Sequence, residues 1–392
     1  MRSLRGSPAA LALAAYAFAA TMLGTTLPTP LYSLYQRRFG FSELMITVIF
    51  ATYAAGVIAA LLLFGRLSDE VGRRPVLFLG LAISALSAVS FLLAAGLALL
   101  LMGRVLSGLS AGIFTGTATA TIVEVAPEGS RSRATLVATV ANMGGLGCGP
   151  LLAGLLAQIA GTPLRTSFWV DLGLLVPAAV GVLLLPEPVS DRGKARLRVQ
   201  APRVPAQVRA TFVPAALAGF AGFAVLGLMT AVTPAFLGRE LSVSSDAIVG
   251  LVVFAAFAAS TAGQALLEVV PSRAAMPGGC ATLIAGMGLL AWGLAATSLA
   301  LLILGIVLAG AGQGLSFRAA LAAVNEASPP QQRGEVASSF FLVAYVAISV
   351  PVIGEGLLAQ AAGLRAAGLI FAGVVAAIAA VVLALLAQSK SG

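Results

Sequence analysis

The sequence predicts an all-α membrane protein: twelve transmembrane helices in two six-helix pseudo-symmetric bundles. Three observations carry that prediction. Of 392 residues, 59% are hydrophobic and only 9% charged, whereas about a quarter of a soluble domain is charged. The apolar residues fall in twelve stretches, each near the roughly 20 residues needed to cross a bilayer as a helix. The two halves of the chain also match each other at residue types that are rare in this composition.

In chain order the stretches lie near 8–31, 43–63, 75–97, 99–123, 135–160, 167–186, 212–237, 247–267, 277–297, 299–323, 336–360 and 366–387. They are rich in Ala, Gly and Leu and lack the period-2 alternation of membrane β-barrel strands. Arg2 and Arg5 precede the first stretch in the manner of a secretory leader. It is too long for a leader's apolar core and eleven more spans follow, so it reads as a retained helix.

The polar stretch 187–210 holds three prolines (Pro188, Pro202, Pro205) and six basic residues. It reads as a cytoplasmic linker between an N-terminal bundle, 1–186, and a C-terminal bundle, 211–392. With the N-terminus inside, sixteen Lys and Arg fall in inner segments and five in outer loops. That asymmetry follows the positive-inside rule and predicts a cell-membrane protein with both termini cytoplasmic. The net charge of +9 then belongs to membrane topology, and no basic-aromatic pattern points to nucleic acid. Cys148 and Cys280 lie in different spans and suggest neither a disulfide nor a metal site. Without histidine there is no His proton relay, no His-based triad and no H-E-x-x-H site. No cofactor is implied.

Aligning 101–158 with 303–360 gives fifteen identities in 58 positions. They include Glu124 with Glu326, Pro127 with Pro329, Arg131 with Arg333 and Gln158 with Gln360. Six spans per half in the same orientation make parallel repeats, which place a substrate site at their interface near the bilayer midplane.

Between spans 2 and 3 runs Gly65-Arg66-Leu67-Ser68-Asp69-Glu70-Val71-Gly72-Arg73-Arg74, a tight inner turn with Asp69 and Arg73 four apart. It resembles the signature loop of the major facilitator superfamily, G-x-L-x-D-x-x-G-R-R/K, at every specified position. The resemblance covers the whole chain. It implies that family's fold, and movement of a small molecule by alternating access. It also implies an inner gate latched by Asp69 and Arg73, with Arg73 paired to Glu124 and Asp69 facing the start of span 11. The second half keeps a worn copy, 263–273, without the aspartate.

Two further motifs extend the resemblance. Arg104, in Leu101-Met102-Gly103-Arg104-Val105-Leu106-Ser107-Gly108, matches an intramembrane arginine that the family links to proton transfer. Taken alone, such a charge is either functional or snorkels to the surface. In span 5, Gly145, Gly149, Pro150 and Gly154 resemble the antiporter motif G-x-x-x-G-P-x-x-x-G. The glycines form a groove for another helix, and Pro150 bends its own. Within the family this motif points to drug:proton antiporters. One departure stands out, for many such exporters carry an acid in span 1 and residues 8–31 hold none. Thr21, Thr25 and Thr26 there, with Thr230 and Thr233 in span 7, either face a cavity or bond back to their own helix.

Proton coupling must then rest mainly on carboxylates, and those within the spans are Asp171 and Glu355. These either exchange protons or snorkel outward or pair with a loop arginine, such as Arg165 for Asp171. Glu355 occupies the repeat position of Ala153, inside the glycine groove. Arg318 in span 10 has Gly116 as its repeat counterpart. It is either a counter-charge for an anionic substrate or the partner of Glu326, eight residues on. The expected function is proton-coupled efflux of small apolar or amphipathic compounds, by a monomer in the bilayer. The alternatives are transport of an anionic metabolite through Arg318 and, more remotely, a membrane enzyme or sensor.

Overall fold

The fold is seen in a computed structural model of the chain, which describes residues 7–65, 67–127, 129–189, 202–243 and 245–388. Arg66 and most of the expected linker, 190–201, lie outside the described residues. All regular elements among those described are helical. Twelve of them are long and apolar enough to cross a membrane. Packing divides the chain into two compact units, Met1–Phe39 with Thr52–Gln200, and Gly40–Ala51 with Ala201–Gly392.

The first unit is built from α1 (Pro8–Thr26), α2 (Tyr32–Phe39), most of α3 (Glu43–Phe64), α4 (Leu67–Val71), α5 (Arg73–Leu92), α6 (Leu97–Val125), α7 (Arg131–Ile159) and α8 (Pro163–Leu184). The start of α3 groups with the second unit. Within the first unit α1 packs on α6, α7 and α8, and α5 packs on α6 and α8. The apolar stretch 8–31 is not one helix. Pro28 and Pro30 have no N–H to continue the ladder, so α1 stops at Thr26 and the chain turns before α2.

The second unit adds α9 (Arg209–Ala231), α10 (Thr233–Arg239), α11 (Asp246–Ala265), α12 (Ser272–Ala295), α13 (Leu299–Ala327), α14 (Arg333–Ala362) and α15 (Leu364–Gln388). Stretch 212–237 is interrupted as 8–31 is, with Pro234 at the second position of α10. A long first helix that breaks into a short one is thus common to both units. Serines set several helix starts: Ser7, Ser245 and Ser298 accept from the backbone N–H three residues on. Helices α12 and α13 pack along much of their length, and Gly286 and Gly305 bring the two main chains into contact. Small residues permit that approach where lipid supplies no hydrophobic drive to associate.

Candidate functional site

Four groups of residues carry the chemistry, three in the first unit and one in the second. The first lies at the linker end of the first unit. Gly72 has φ +105°, a conformation that glycine adopts without strain, and so turns α4 sharply into α5. That exposes the first N–H groups of α5, and Glu187 fills the position. Its carboxylate accepts from the backbone N–H of Arg73 at 2.9 Å and of Arg74 at 3.0 Å. An acid at a positive helix end is well placed. Gly72 is also necessary for room, since a Cβ there would lie 2.7 Å from a Glu187 oxygen.

The same turn aims Arg73 into the unit. Its Nε and Nη2 donate to the two oxygens of Glu124 at 3.0 and 2.7 Å, a bidentate pair. Its Nη1 lies 2.6 Å from both Asp69 Oδ1 and Ser68 Oγ. The expected network of Asp69, Arg73 and Glu124 is therefore present, placed by the turn between Gly65 and Gly72. Sequence reasoning missed Glu187 as a member and assigned it to the linker. The signal was the pair Gly72-Arg73 opening a helix, whose bare N–H groups require an acceptor.

The second group is the seam between α1 and α7. Gly145 lies so close to α1 that a Cβ would stand 2.5 Å from the Ala19 carbonyl oxygen, and at Gly149 it would collide with Leu23 and Thr26. Gly154 is buried on the same helix. Pro150 lacks an N–H, which leaves the Leu146 carbonyl without its helical donor. Thr26 supplies one from α1, at 2.7 Å. The glycine groove thus receives α1, and Thr26 repairs the break that Pro150 makes. Thr21, Thr25 and Thr230 instead bond back to their own helices.

The third group is the broken end of α1. The N–H of Thr29 turns to Thr26, so the Thr25 carbonyl is left to Arg104, which donates to it from α6 at 2.6 Å. Arg104 is 1% exposed, and its guanidinium stacks over the Tyr53 ring at 4.7 Å. It is held inside the unit rather than snorkelling outward. Asp171, on α8, reaches the neighbouring position. Both its carboxylate oxygens lie within 2.9 Å of where a Cβ on Gly24 would stand, and Oδ1 has no hydrogen-bond partner. Asp171 is 2% exposed. An acid expected in span 1 but missing from it is thus presented to span 1 by span 6.

The fourth group lies in the second unit. Glu355, on α14, is 1% exposed with neither carboxylate oxygen partnered. It faces a small cavity of about 20 Å³, lined by Leu228, Val232, Thr233, Phe236, Leu290 and Ile306 among others. It also faces a second space that is bordered by Glu43, Thr47 and Ala235. Arg318 departs from the expected pairing. It donates to the Gln264 carbonyl at 2.6 Å and lies 3.6 Å from Glu268, both at the end of the α11 segment. Glu326, the partner that the sequence offered, is exposed near the end of α13. A buried amide on α13 was not anticipated: Gln313 accepts from Ser260 at 2.6 Å while its Nε2 has no partner.

Arg104 and Arg318 share a physical role. Each donates to a carbonyl at the C-terminal end of a neighbouring helix, where the helix dipole is negative and the last carbonyls lack partners. Arg74 does the same at Leu183, near the end of α8.

Twelve helices long and apolar enough to span a bilayer among the described residues, with this ionic network and this glycine seam, define a multi-pass membrane protein. The family model of the Major Facilitator Superfamily matches residues 9–351, and the chain belongs to that family of membrane transporters. Membership sets aside the membrane-enzyme alternative. Among curated relatives, an uncharacterized MFS-type transporter of Methanocaldococcus jannaschii is 26% identical over 180 residues, 46% of each chain. The multidrug resistance protein MdtL of Escherichia coli (strain S88) is 31% identical over 147 residues, 37% of this chain and 35% of that one. The matched region spans less than half the length of these relatives. Among solved structures, the human organic anion transporter MFSD10 aligns with TM-score 0.69 at 18% identity, covering 96% of this chain and 99% of that one. A POT peptide transporter in complex with sulfate aligns with TM-score 0.77 at 14% identity, covering 97% and 94%. At such identities these structures establish the fold alone.

Proposed function

We propose that the chain is a secondary active transporter in the cell membrane that exports small apolar or amphipathic compounds in exchange for protons, by alternating access and as a monomer. The observation that carries this reading is Asp171, enclosed and incompletely partnered against the broken end of α1. An ionised carboxylate buried without a partner costs several kcal/mol. A group in that position binds a proton while enclosed and releases it when the surroundings open to water. The glycine seam between α1 and α7, and the likeness to a multidrug resistance protein, support export over import. In this reading Asp69, Arg73 and Glu124 latch the cytoplasmic gate.

The anionic-metabolite alternative required Arg318 as a counter-charge. Arg318 already serves Gln264 and Glu268, so no observation favours it. The test is transport in inverted vesicles loaded with a pH-sensitive dye, across a panel of neutral, cationic and anionic compounds. Substrate-dependent collapse of the pH gradient by a neutral or cationic amphipath supports the reading. Collapse by anions alone, or by nothing in the panel, overturns it.

A further inference from the structure

The two buried acids have matching places, although they stand on helices that the internal repeat does not relate. Asp171 comes from the sixth span of the first unit and lies on Gly24, next to the end of α1. Glu355 comes from the fifth span of the second unit, and its cavity is lined by Leu228, Val232 and Thr233, around the end of α9. In each unit the first long helix stops two or three residues before a proline. Pro28 and Pro234 have no N–H, so the Gly24 and Thr230 carbonyls lose their helical donors. A helix end rich in free carbonyls repels a carboxylate and accepts a hydrogen bond from a carboxylic acid.

We propose that the protein has two separate proton-binding sites, Asp171 in the first unit and Glu355 in the second, so that one transport cycle carries two protons. The proposal rests on the proton-coupled reading above and adds its stoichiometry. The charged neighbours are already committed, which leaves the acids to protons. Beside Asp171, Arg104 serves Thr25 and the Tyr53 ring, and the hydroxyl of Tyr16 donates to Leu174. Tyr32, just past the broken end of α1, is buried with its hydroxyl unpartnered. Beside Glu355, Glu43 borders the second space and is ion-paired with Arg239. Each acid has an unfilled polar or empty place beside it. Ser167, one helical turn before Asp171, is fully buried with its hydroxyl unpartnered. Glu355 borders two empty spaces.

Infrared spectroscopy of the purified full-length chain in lipid vesicles tests this without a known substrate, by counting protonated carboxyl groups from their carbonyl stretch at neutral pH. Two enclosed acids are expected in the wild type, one in Asp171→Asn, one in Glu355→Gln and none in the double variant. Asp171→Glu and Glu355→Asp should keep the count with a shifted band, which separates loss of a site from loss of the fold. No protonated carboxyl in the wild type, or a count that is indifferent to the amide variants, overturns the proposal. So does a single variant that removes both bands. If both bands behave as expected but no compound in the panel moves protons, the two sites stand and the export reading fails.

Discussion

Arg73 donates to Glu124, Asp69 and Ser68 at once, and these partners differ in how far solvent can replace them. The Asp69 side chain is 58% exposed and that of Glu124 36%, against 10% for Arg73. Glu124→Gln removes the bidentate acceptor from a nearly buried guanidinium, at a cost of about 1–3 kcal/mol. Asp69→Asn removes an exposed ion pair, worth about 1 kcal/mol or less. Thermal unfolding in detergent should therefore rank Glu124→Gln below Asp69→Asn. Turnover should rank the other way relative to stability, because Asp69→Asn keeps the fold while weakening the gate. Wild-type transport by Asp69→Asn would remove that residue from the gate. Glu187 teaches a related lesson. The sequence presented it as the first residue of a linker, and only folding brings it under residues more than a hundred positions earlier.

At the level of elements, the seam of α1 and α7 joins two sequence features that were legible separately but not as a pair. The glycines and Pro150 were visible in span 5, and Thr26 in span 1. The bond from Thr26 to Leu146 was not visible, because a proline reveals which carbonyl it frees but not which helix will lie beside it. The seam predicts a thermodynamic cycle. Thr26→Val leaves the Leu146 carbonyl buried and unpartnered, at a cost of about 1–3 kcal/mol. Pro150→Ala restores a helical N–H to that carbonyl, so Thr26→Val should cost about 1 kcal/mol less in the Pro150→Ala background. Chemical denaturation of the four proteins measures the cycle; strict additivity would mean that the hydroxyl does not repair the break. Helix ends near proline were misplaced by the apolar stretches, for 8–31 ran past Pro28, 212–237 ran past Pro234 and 299–323 stopped short of Pro329. Arg318 lies on the last of these helices, α13, which runs on to Ala327 just before Pro329. Its partner was not legible, since Glu268 lies on a segment fifty residues earlier and the same-helix Glu326 was the nearer acid in sequence.

Over the whole molecule, composition and periodicity were enough to predict twelve spans, because lipid demands long apolar helices whose backbone bonds are satisfied internally. Orientation rests on charge asymmetry and remains a prediction. In a background with Cys148 and Cys280 replaced, single cysteines at Gln200 and Ser242 should react with an impermeant reagent from opposite sides of the membrane. Labelling from the same side would reverse or break the topology. What composition could not reveal is where two acids, spaced far apart in sequence, come to rest against broken helix ends. The most direct measurement is transport of one amphipathic substrate in proteoliposomes, with and without an imposed pH gradient, comparing wild type with the Asp171→Asn, Glu355→Gln double variant. The account predicts that the double variant keeps downhill flux and loses all acceleration by the gradient. Unchanged acceleration in the double variant would contradict it.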